Sequence, residues 1–184
     1  MRTIPGMTVI CPCDDVEAKA AMKAALEHEG PVYLRFGRMA VPVFNDHSDY
    51  RFTLGKGNRL REGKNVTIAA TGVCVWEALC AADLLAECGF SAEVLSFPTI
   101  KPFDLELIVE SAKITGKVVT VEEHSVIGGL GSAVLDALAE TYPVPVHKIG
   151  IQDVYGKSGN AAKLMEVYGL TGKCIAEKVL TWLL

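Results

Sequence analysis

The stretch VTIAATGVCVWEALCAADLLAECGFSAEVLSF, residues 66–97, decides the fold of this 184-residue chain. It begins with the apolar run Val66–Ala70 and ends with a second apolar run, Ala92–Phe97. Between them, apolar residues recur at helical spacing, at Val75, Ala78, Leu79, Ala82 and Ala86. Apolar runs without polar alternation are typical of parallel strands that are buried on both faces. The stretch therefore predicts a strand, a helix and a second strand of a parallel sheet.

The same alternation continues toward the C-terminus. We predict strands at Val118–Val121 and Val144–Ile151, and three further helices that begin near Leu105, Leu130 and Ile175, the first of them closed by Gly116. This order predicts an α/β fold of three layers, with a mostly parallel sheet covered by helices on both faces. In such folds ligands bind beyond the carboxyl ends of the strands.

Toward the N-terminus the pattern starts again and then breaks off. Strands are predicted at Thr8–Cys11 and Val32–Phe36, and the Asp-x-x-Glu pattern at residues 14–17 predicts the start of a helix between them. Residues 37–64 are rich in glycine and charge, with only Tyr50–Leu54 resembling a strand, so a linker is predicted there.

Charge and hydropathy exclude several classes of function. The chain has 18 basic and 22 acidic side chains, a net charge of −4, so nucleic acid is not an expected partner. We find no apolar run of about 18 residues and no pattern of a signal peptide, and therefore expect no membrane partner and a cytoplasmic location.

The six cysteines do not predict a metal site. Cys74, Cys80, Cys88 and Cys174 are expected to be small buried apolar residues. Cys11 and Cys13 form a Cys-Pro-Cys pair, but no second pair of cysteines or histidines lies nearby to complete a tetrahedral zinc site.

Two glycine-rich motifs come close to known nucleotide-binding patterns and fail in detail. Gly128-Gly-Leu-Gly131 lacks the third small residue and the later acidic residue of a dinucleotide site. We expect its glycines to let a helix start pack closely on the sheet, where free N–H groups could also accept an anion. Gly156-Lys-Ser158 follows Gly150 with one residue too many for a P-loop. No protein nucleophile or catalytic triad is evident.

Candidate site residues follow two predicted strands. Glu122 and His124 share a face of the strand that they end, and either could be a rim residue of a cleft or a satisfied structural pair. Arg35 and Arg38 follow another strand and could form salt bridges or bind the phosphate of a ligand.

Several segments together resemble the C-terminal part of transketolases, and most of all the C-terminal subunit of split bacterial transketolases. They span nearly the whole chain and are Met1–Val9, Asp14–Glu17, Glu29–Arg38, Gly63–Gly72, Val121–Ala133, Asp153–Gly159 and Tyr168–Thr171. The resemblance implies that residues 1–40 are the tail of a pyrimidine-binding domain, 41–62 a linker and 63–184 the transketolase C-terminal domain.

The resemblance also implies an activity and partners. The full assembly would transfer a two-carbon ketol unit between sugar phosphates, with thiamine diphosphate and Mg²⁺ as cofactors. An N-terminal half or subunit would supply the diphosphate site, and the assembly would be a homodimer. This chain alone is expected to bind no cofactor and to be inactive, with no catalytic residue of its own.

One departure concerns the substrate. Transketolases commonly carry an arginine that binds the sugar phosphate immediately before a Pro-x-Asp motif, and Cys11 occupies that position here. Arg35 or Arg38 could take over this role. Three alternatives remain: a fragment of a deoxyxylulose-phosphate synthase, a fragment of a 2-oxo acid dehydrogenase beta chain, and a module that serves only dimerisation or interaction.

Overall fold

The computed structural model describes all residues, 1–184. It contains eight strands and six helices. The strands are β1 (Thr8–Ile10), β2 (Val32–Leu34), β3 (Asn58–Arg61), β4 (Val66–Ala70), β5 (Ala92–Ser96), β6 (Thr99–Lys101), β7 (Val118–Ser125) and β8 (Val146–Ile151). The helices are α1 (Asp15–Glu27), α2 (Cys74–Glu87), α3 (Leu105–Thr115), α4 (Leu130–Ala139), α5 (Ala161–Val167) and α6 (Gly172–Leu183). None of the helices is both long enough and apolar enough to cross a membrane.

The larger sheet forms the middle of three layers. Its strand order is β3-β5-β4-β7-β8, and all pairs are parallel except β3 with β5. Adjacent residues of β4 enter opposite cores: Ile68 packs with α2 and α6, whereas Ala69 packs with α3 and α4. Because both faces are buried, the strands are continuously apolar. The predicted three-layer, mostly parallel α/β fold is confirmed.

A smaller sheet has the order β2-β1-β6. The parallel strands β1 and β2 were predicted, and helix α1 connects them. The third strand, β6, comes from far along the chain and runs antiparallel to β1. It was not predicted, since three residues directly after β5 carry no periodic signal of their own. Residues 99–101 thus tie the N-terminal segment to the rest of the fold.

The segment between the two sheets differs from the sequence prediction. Tyr50–Leu54 is not a strand, and the strand of this region is β3, a charged edge strand inside the predicted linker 41–62. The side chain of Arg59 on β3 donates to buried Glu93 at 2.6 Å. An edge strand that alternates charge with little apolar content is hard to distinguish from a loop. The division into 1–40, 41–62 and 63–184 stays a prediction.

Side chains at the start of α1 fasten this segment. Asp14 caps the helix through Oδ1, which accepts from Glu17 N at 2.9 Å, while its Oδ2 accepts from the backbone N–H groups of Phe44 and Asn45 at 3.1 and 2.9 Å. Tyr50 donates its hydroxyl to Glu17 Oε1 at 2.8 Å. The segment therefore satisfies its polar groups through carboxylates rather than through a strand ladder.

The cysteines are all free, and their burial follows the prediction only in part. Cys74 is buried, as are Cys11 and Cys13, whereas Cys80 and Cys174 are half-buried. The expectation was wrong for Cys88, which is exposed because it caps the C-terminus of α2.

Candidate functional site

A cavity of about 260 Å³ opens where strands of both sheets end. Cys11 follows β1, Arg35 follows β2, Thr71 follows β4, and Glu122 and His124 lie at the end of β7. Strands β1 and β2 run parallel, as do β4 and β7, so each pair brings its carboxyl ends to one edge. The two edges face each other across the cavity, which is where an α/β fold is expected to bind ligands.

Glu122 lies under the start of helix α4. Its side chain is 1% exposed, and its two oxygens accept hydrogen bonds from Leu130 N and Gly131 N, both at 2.8 Å. Burial raises the pKa of Glu122, while the bonds from Gly131 and Leu130 oppose the rise. The N–H groups that a bound anion could have used are therefore taken by a carboxylate of the chain itself.

The glycines of this turn make that contact possible. A Cβ at Gly129 would collide with Glu122 Oε2, and a Cβ at Gly131 would lie 2.7 Å from Lys148 Cδ and 2.8 Å from Thr120 Oγ1. The expectation that the glycines allow close packing of the helix start on the sheet is confirmed.

His124 is half exposed at the rim of the cavity. Its Nδ1 lies 2.8 Å from the backbone oxygen of Ser125 and 3.8 Å from Glu122 Oε2, so the two residues share a face as the sequence predicted. A carbonyl oxygen only accepts, so Nδ1 carries the proton in the neutral ring. This leaves Nε2 as an acceptor, which a ligand in the cavity could use.

Arg35 and Glu123 form a bond between the two sheets. Arg35 Nη2 donates to the backbone oxygen of Glu123 at 2.7 Å and approaches Glu123 Oε2 at 3.2 Å. Both side chains are about one-third exposed and line the cavity. The guanidinium keeps further N–H groups that could reach an anionic ligand.

Cys11 contributes an uncharged wall beside Arg35. Its thiol is 2% exposed and lies 3.8 Å from Arg35 Nη1. Burial raises the pKa of the Cys11 thiol, although Arg35 opposes the rise, so the neutral thiol is the form expected at neutral pH. Of these two neighbouring side chains at the strand ends, Arg35 is therefore the one that carries a charge.

Arg38 faces a different hollow of about 230 Å³, which we call the apolar groove. It lies beyond β8 and is lined by Arg38, Glu123, Ile151, Ala161, Leu164, Met165, Tyr168 and Leu170. Arg38 is exposed and forms no hydrogen bond or ion pair. The structure thus separates Arg35 and Arg38, and only Glu123 lines both hollows.

Sequence reasoning missed several residues of the cavity, among them Thr71 and Arg2. Thr71 donates its hydroxyl to Phe97 O at 2.8 Å and lies 3.3 Å from Cys11 O, so it links the two sheets from below. Arg2 also lines the cavity, and its side chain pairs with Asp136 at 2.6 Å. The position of Thr71 directly after a buried strand was the signal that could have found it.

The side chains that line this cavity do not provide the cationic groups and metal ligands that a diphosphate with Mg²⁺ requires. No group of three or more His, Cys, Asp or Glu side chains is arranged to hold a metal ion. A diphosphate in the cavity would face the carboxylates of Glu122 and Glu123, and the cation of Arg35 is already paired with Glu123.

Comparison with known proteins identifies similar domains and relatives. The family model "Transketolase, C-terminal domain" matches residues 55–175, and "Transketolase, pyrimidine binding domain" matches residues 1–43. A 6-deoxy-6-sulfo-D-fructose transketolase subunit from a Clostridium species is 50% identical over 173 residues, which cover 94% of this chain and 53% of the relative. A 1-deoxy-D-xylulose-5-phosphate synthase from Heliobacterium modesticaldum is 42% identical over 178 residues, 96% of this chain and 28% of the synthase.

A solved structure extends the similarity to the fold. A split-gene transketolase, described as an inactive beta4 tetramer, superimposes with a TM-score of 0.93 at 49% identity. The match covers 100% of this chain and 60% of that one. The chain therefore spans little more than half the length of the transketolase relatives that it matches.

Proposed function

Because the chain belongs to the transketolase family, we propose that it is the C-terminal section of an enzyme that transfers a two-carbon ketol unit between sugar phosphates. The observation that carries this proposal is the cavity between the carboxyl ends of the two sheets. Strands β1 and β2 of the smaller sheet lie in the part that matches the pyrimidine-binding domain, whereas β6 and the whole larger sheet lie in the part that matches the C-terminal domain. A cleft between these parts is a suitable place for a substrate.

The proposal includes a partner that completes the site. In the assembled enzyme, thiamine diphosphate with Mg²⁺ would supply the carbon nucleophile, and an N-terminal half would provide the diphosphate site. Two such assemblies would form a homodimer in the cytoplasm. The poor fit of this chain's own carboxylates to a diphosphate supports a division of the site between polypeptides.

Arg35 is the residue that we propose to bind the anionic end of the sugar. It lines the cavity, its cation is fixed by Glu123, and Cys11 beside it is uncharged. His124 and Glu122 would form the rim, with Nε2 of His124 as a hydrogen-bond acceptor for a sugar hydroxyl. Arg38 lies outside this cavity.

The synthase relative favours a second candidate. Its 42% identity over 96% of this chain is compatible with a C-terminal section of a deoxyxylulose-phosphate synthase, which would use the same cavity. The two candidates differ in the donor that the assembled enzyme accepts. A transketolase takes its two-carbon unit from a ketose phosphate, whereas the synthase would not use that donor.

Reconstitution tests the proposal. The isolated chain with thiamine diphosphate and Mg²⁺ should show no ketol transfer and no micromolar cofactor binding in a calorimetric titration. Addition of a separately produced N-terminal transketolase half that also carries the rest of the pyrimidine-binding domain should produce transfer. Micromolar binding of the cofactor to the isolated chain, or no transfer in the mixture, would contradict the proposal.

Substitution of Arg35 tests the proposed contact to substrate. In the reconstituted enzyme, Arg35→Gln should raise KM for a sugar phosphate at least tenfold and change kcat less. The matched control is Arg61→Gln, because Arg61 pairs only with exposed Asp83 on the surface. An unphosphorylated sugar should be used equally by the wild type and Arg35→Gln. An unchanged KM for the sugar phosphate would refute the role of Arg35.

A further inference from the structure

The apolar groove is a formed surface with few polar groups. Its floor is made by Met165 and Leu170, which are buried, and its walls by half-buried Ile151, Leu164 and Tyr168. It begins where β8 ends and is closed on one side by the short helix α5. Concave surfaces lined by apolar and aromatic side chains are typical of binding sites for other molecules.

A loop beside the groove presents apolar side chains to solvent. Tyr155 is 98% exposed and Val154 is 58% exposed, and we call these two residues the loop tip. The hydroxyl of Tyr168 accepts from Lys157 N at 2.9 Å and lies 3.4 Å from the backbone oxygen of Tyr155. Since the ring of Tyr168 also lines the groove, the same residue holds the tip and forms a wall.

The free charge around the groove is positive. Arg38 lines the groove and forms no ion pair, whereas Lys163 pairs with Glu166. In the loop beside the groove, the unpaired charges of Lys157 and Asp153 offset each other. Glu123, the carboxylate in the groove, is already held by Arg35. An occupant that combines an apolar side chain with a carboxylate would complement this surface.

We infer that the groove and the loop tip are the docking surface for a segment of the N-terminal half that presents an apolar side chain beside a carboxylate. This inference rests on the proposed function, which supplies the partner. Glu123 lines both hollows, so a polypeptide bound over the cavity would lie next to the groove. Tyrosine, methionine and arginine, which are enriched at protein interfaces, are the side chains found here.

Binding measurements with four variants test the inference. Tyr155→Ser and Arg38→Glu should each raise the Kd for a separately produced N-terminal half at least tenfold, as measured by calorimetry. The matched controls are Tyr142→Ser and Lys113→Glu, which change a partly exposed tyrosine and an exposed lysine in contact with each other near α3. These controls should stay within twofold of the wild type. A higher salt concentration should weaken binding of the N-terminal half more for the wild type than for Arg38→Glu.

The outcomes separate this inference from the proposed function. If the wild-type chain does not bind the N-terminal half, the proposed partner is wrong and the inference falls with it. If the wild type binds and all four variants bind equally, only the inference is wrong. If Tyr155→Ser or Arg38→Glu disrupts self-association in light scattering but not binding of the N-terminal half, the occupant is a second copy and the inference is likewise overturned. The side chains of Tyr155 and Arg38 are exposed, as are those of the two control positions, so the thermal unfolding midpoint should be unchanged in all four variants.

Discussion

Arg35 and Glu123 lie 88 residues apart in the chain and bind each other across the gap between the two sheets. The guanidinium donates to the backbone oxygen of Glu123 at 2.7 Å and to its carboxylate at 3.2 Å. The contact fixes the position of one sheet edge relative to the other. It also sets the wall between the cavity and the apolar groove, since Glu123 belongs to both.

Removal of Arg35 should lower the free energy of unfolding. Arg35→Met loses the bonds to Glu123 and the contact to Cys11, and we expect a loss of about 1–2 kcal/mol because a charged donor is involved. Urea unfolding followed by circular dichroism measures it. Arg61→Met removes a surface ion pair to Asp83 and should cost less than about 0.5 kcal/mol. Equal losses in the two variants would show that Arg35 does not join the sheets.

A methyl group at Gly129 should disrupt the start of α4. The new Cβ would collide with the buried carboxylate of Glu122, which could move away only by losing its hydrogen bonds from Leu130 N and Gly131 N, so Gly129→Ala should cost about 2–3 kcal/mol. Gly156→Ala is the control, because no atom lies within 4 Å of the added Cβ, and it should change stability by less than about 0.5 kcal/mol. Thermal unfolding compares the two, and equal midpoints would contradict this account of the glycine turn.

Loss of the Tyr50 hydroxyl should destabilise the protein. Tyr50→Phe leaves Glu17 Oε1 without its 2.8 Å hydrogen bond in a fully buried site, which should cost about 1–3 kcal/mol. Tyr155→Phe removes a hydroxyl from a side chain that is 98% exposed and should have no measurable effect. The difference is read from urea unfolding at neutral pH. Similar stability of both variants would mean that the segment around Tyr50 is not fastened by Glu17.

Glu17 should make stability depend on pH. Burial raises the pKa of Glu17 above its ordinary value of 4.5, against the hydrogen bonds from Cys13 and Tyr50. The folded state then binds the proton more tightly than the unfolded state, so this contribution is full below pH 4.5 and is lost as pH rises through the raised folded pKa. Relative to Glu17→Gln, the wild type should therefore lose stability over that interval.

Urea unfolding at a series of pH values measures this difference. Glu27→Gln, an exposed position on the same helix, controls for the change of net charge. Burial also raises the pKa of Glu122, but that effect is present in all three proteins and cancels in the comparison. A constant difference between wild type and Glu17→Gln across the acidic range would exclude the proposed coupling.

The sequence predicted those elements whose signal is local. Val66–Ala70 is a strand at the predicted bounds because an uninterrupted apolar run can be buried only inside the sheet. Asp14 was recognised as a helix cap from its spacing to Glu17 alone. By contrast, β3 and β6 depend on partners elsewhere in the chain, and Tyr50 lies in a loop, where its hydroxyl donates to buried Glu17.

The sequence predicted which neighbouring residues share a face of a strand, but not which contacts join residues from different segments at the candidate site. Alternation along a strand was enough to place Glu122 and His124 on one face. It could not show that Glu122 accepts from the start of α4, nor that Arg35 reaches Glu123. Arg35 and Arg38 looked equivalent in the sequence, yet they face two different hollows.

Periodicity and residue type by themselves determined the α/β class, the order of most strands and helices, and the side of the sheet on which ligands should bind. These properties follow from local hydrogen bonding and from the burial of apolar side chains, which each short segment records. Only the tertiary structure decided that Arg35 faces the cavity while Arg38 faces the groove, and that Glu122 occupies the helix start. Such contacts join residues from separate segments, and their distances are set by the packing of two sheets rather than by spacing along the chain.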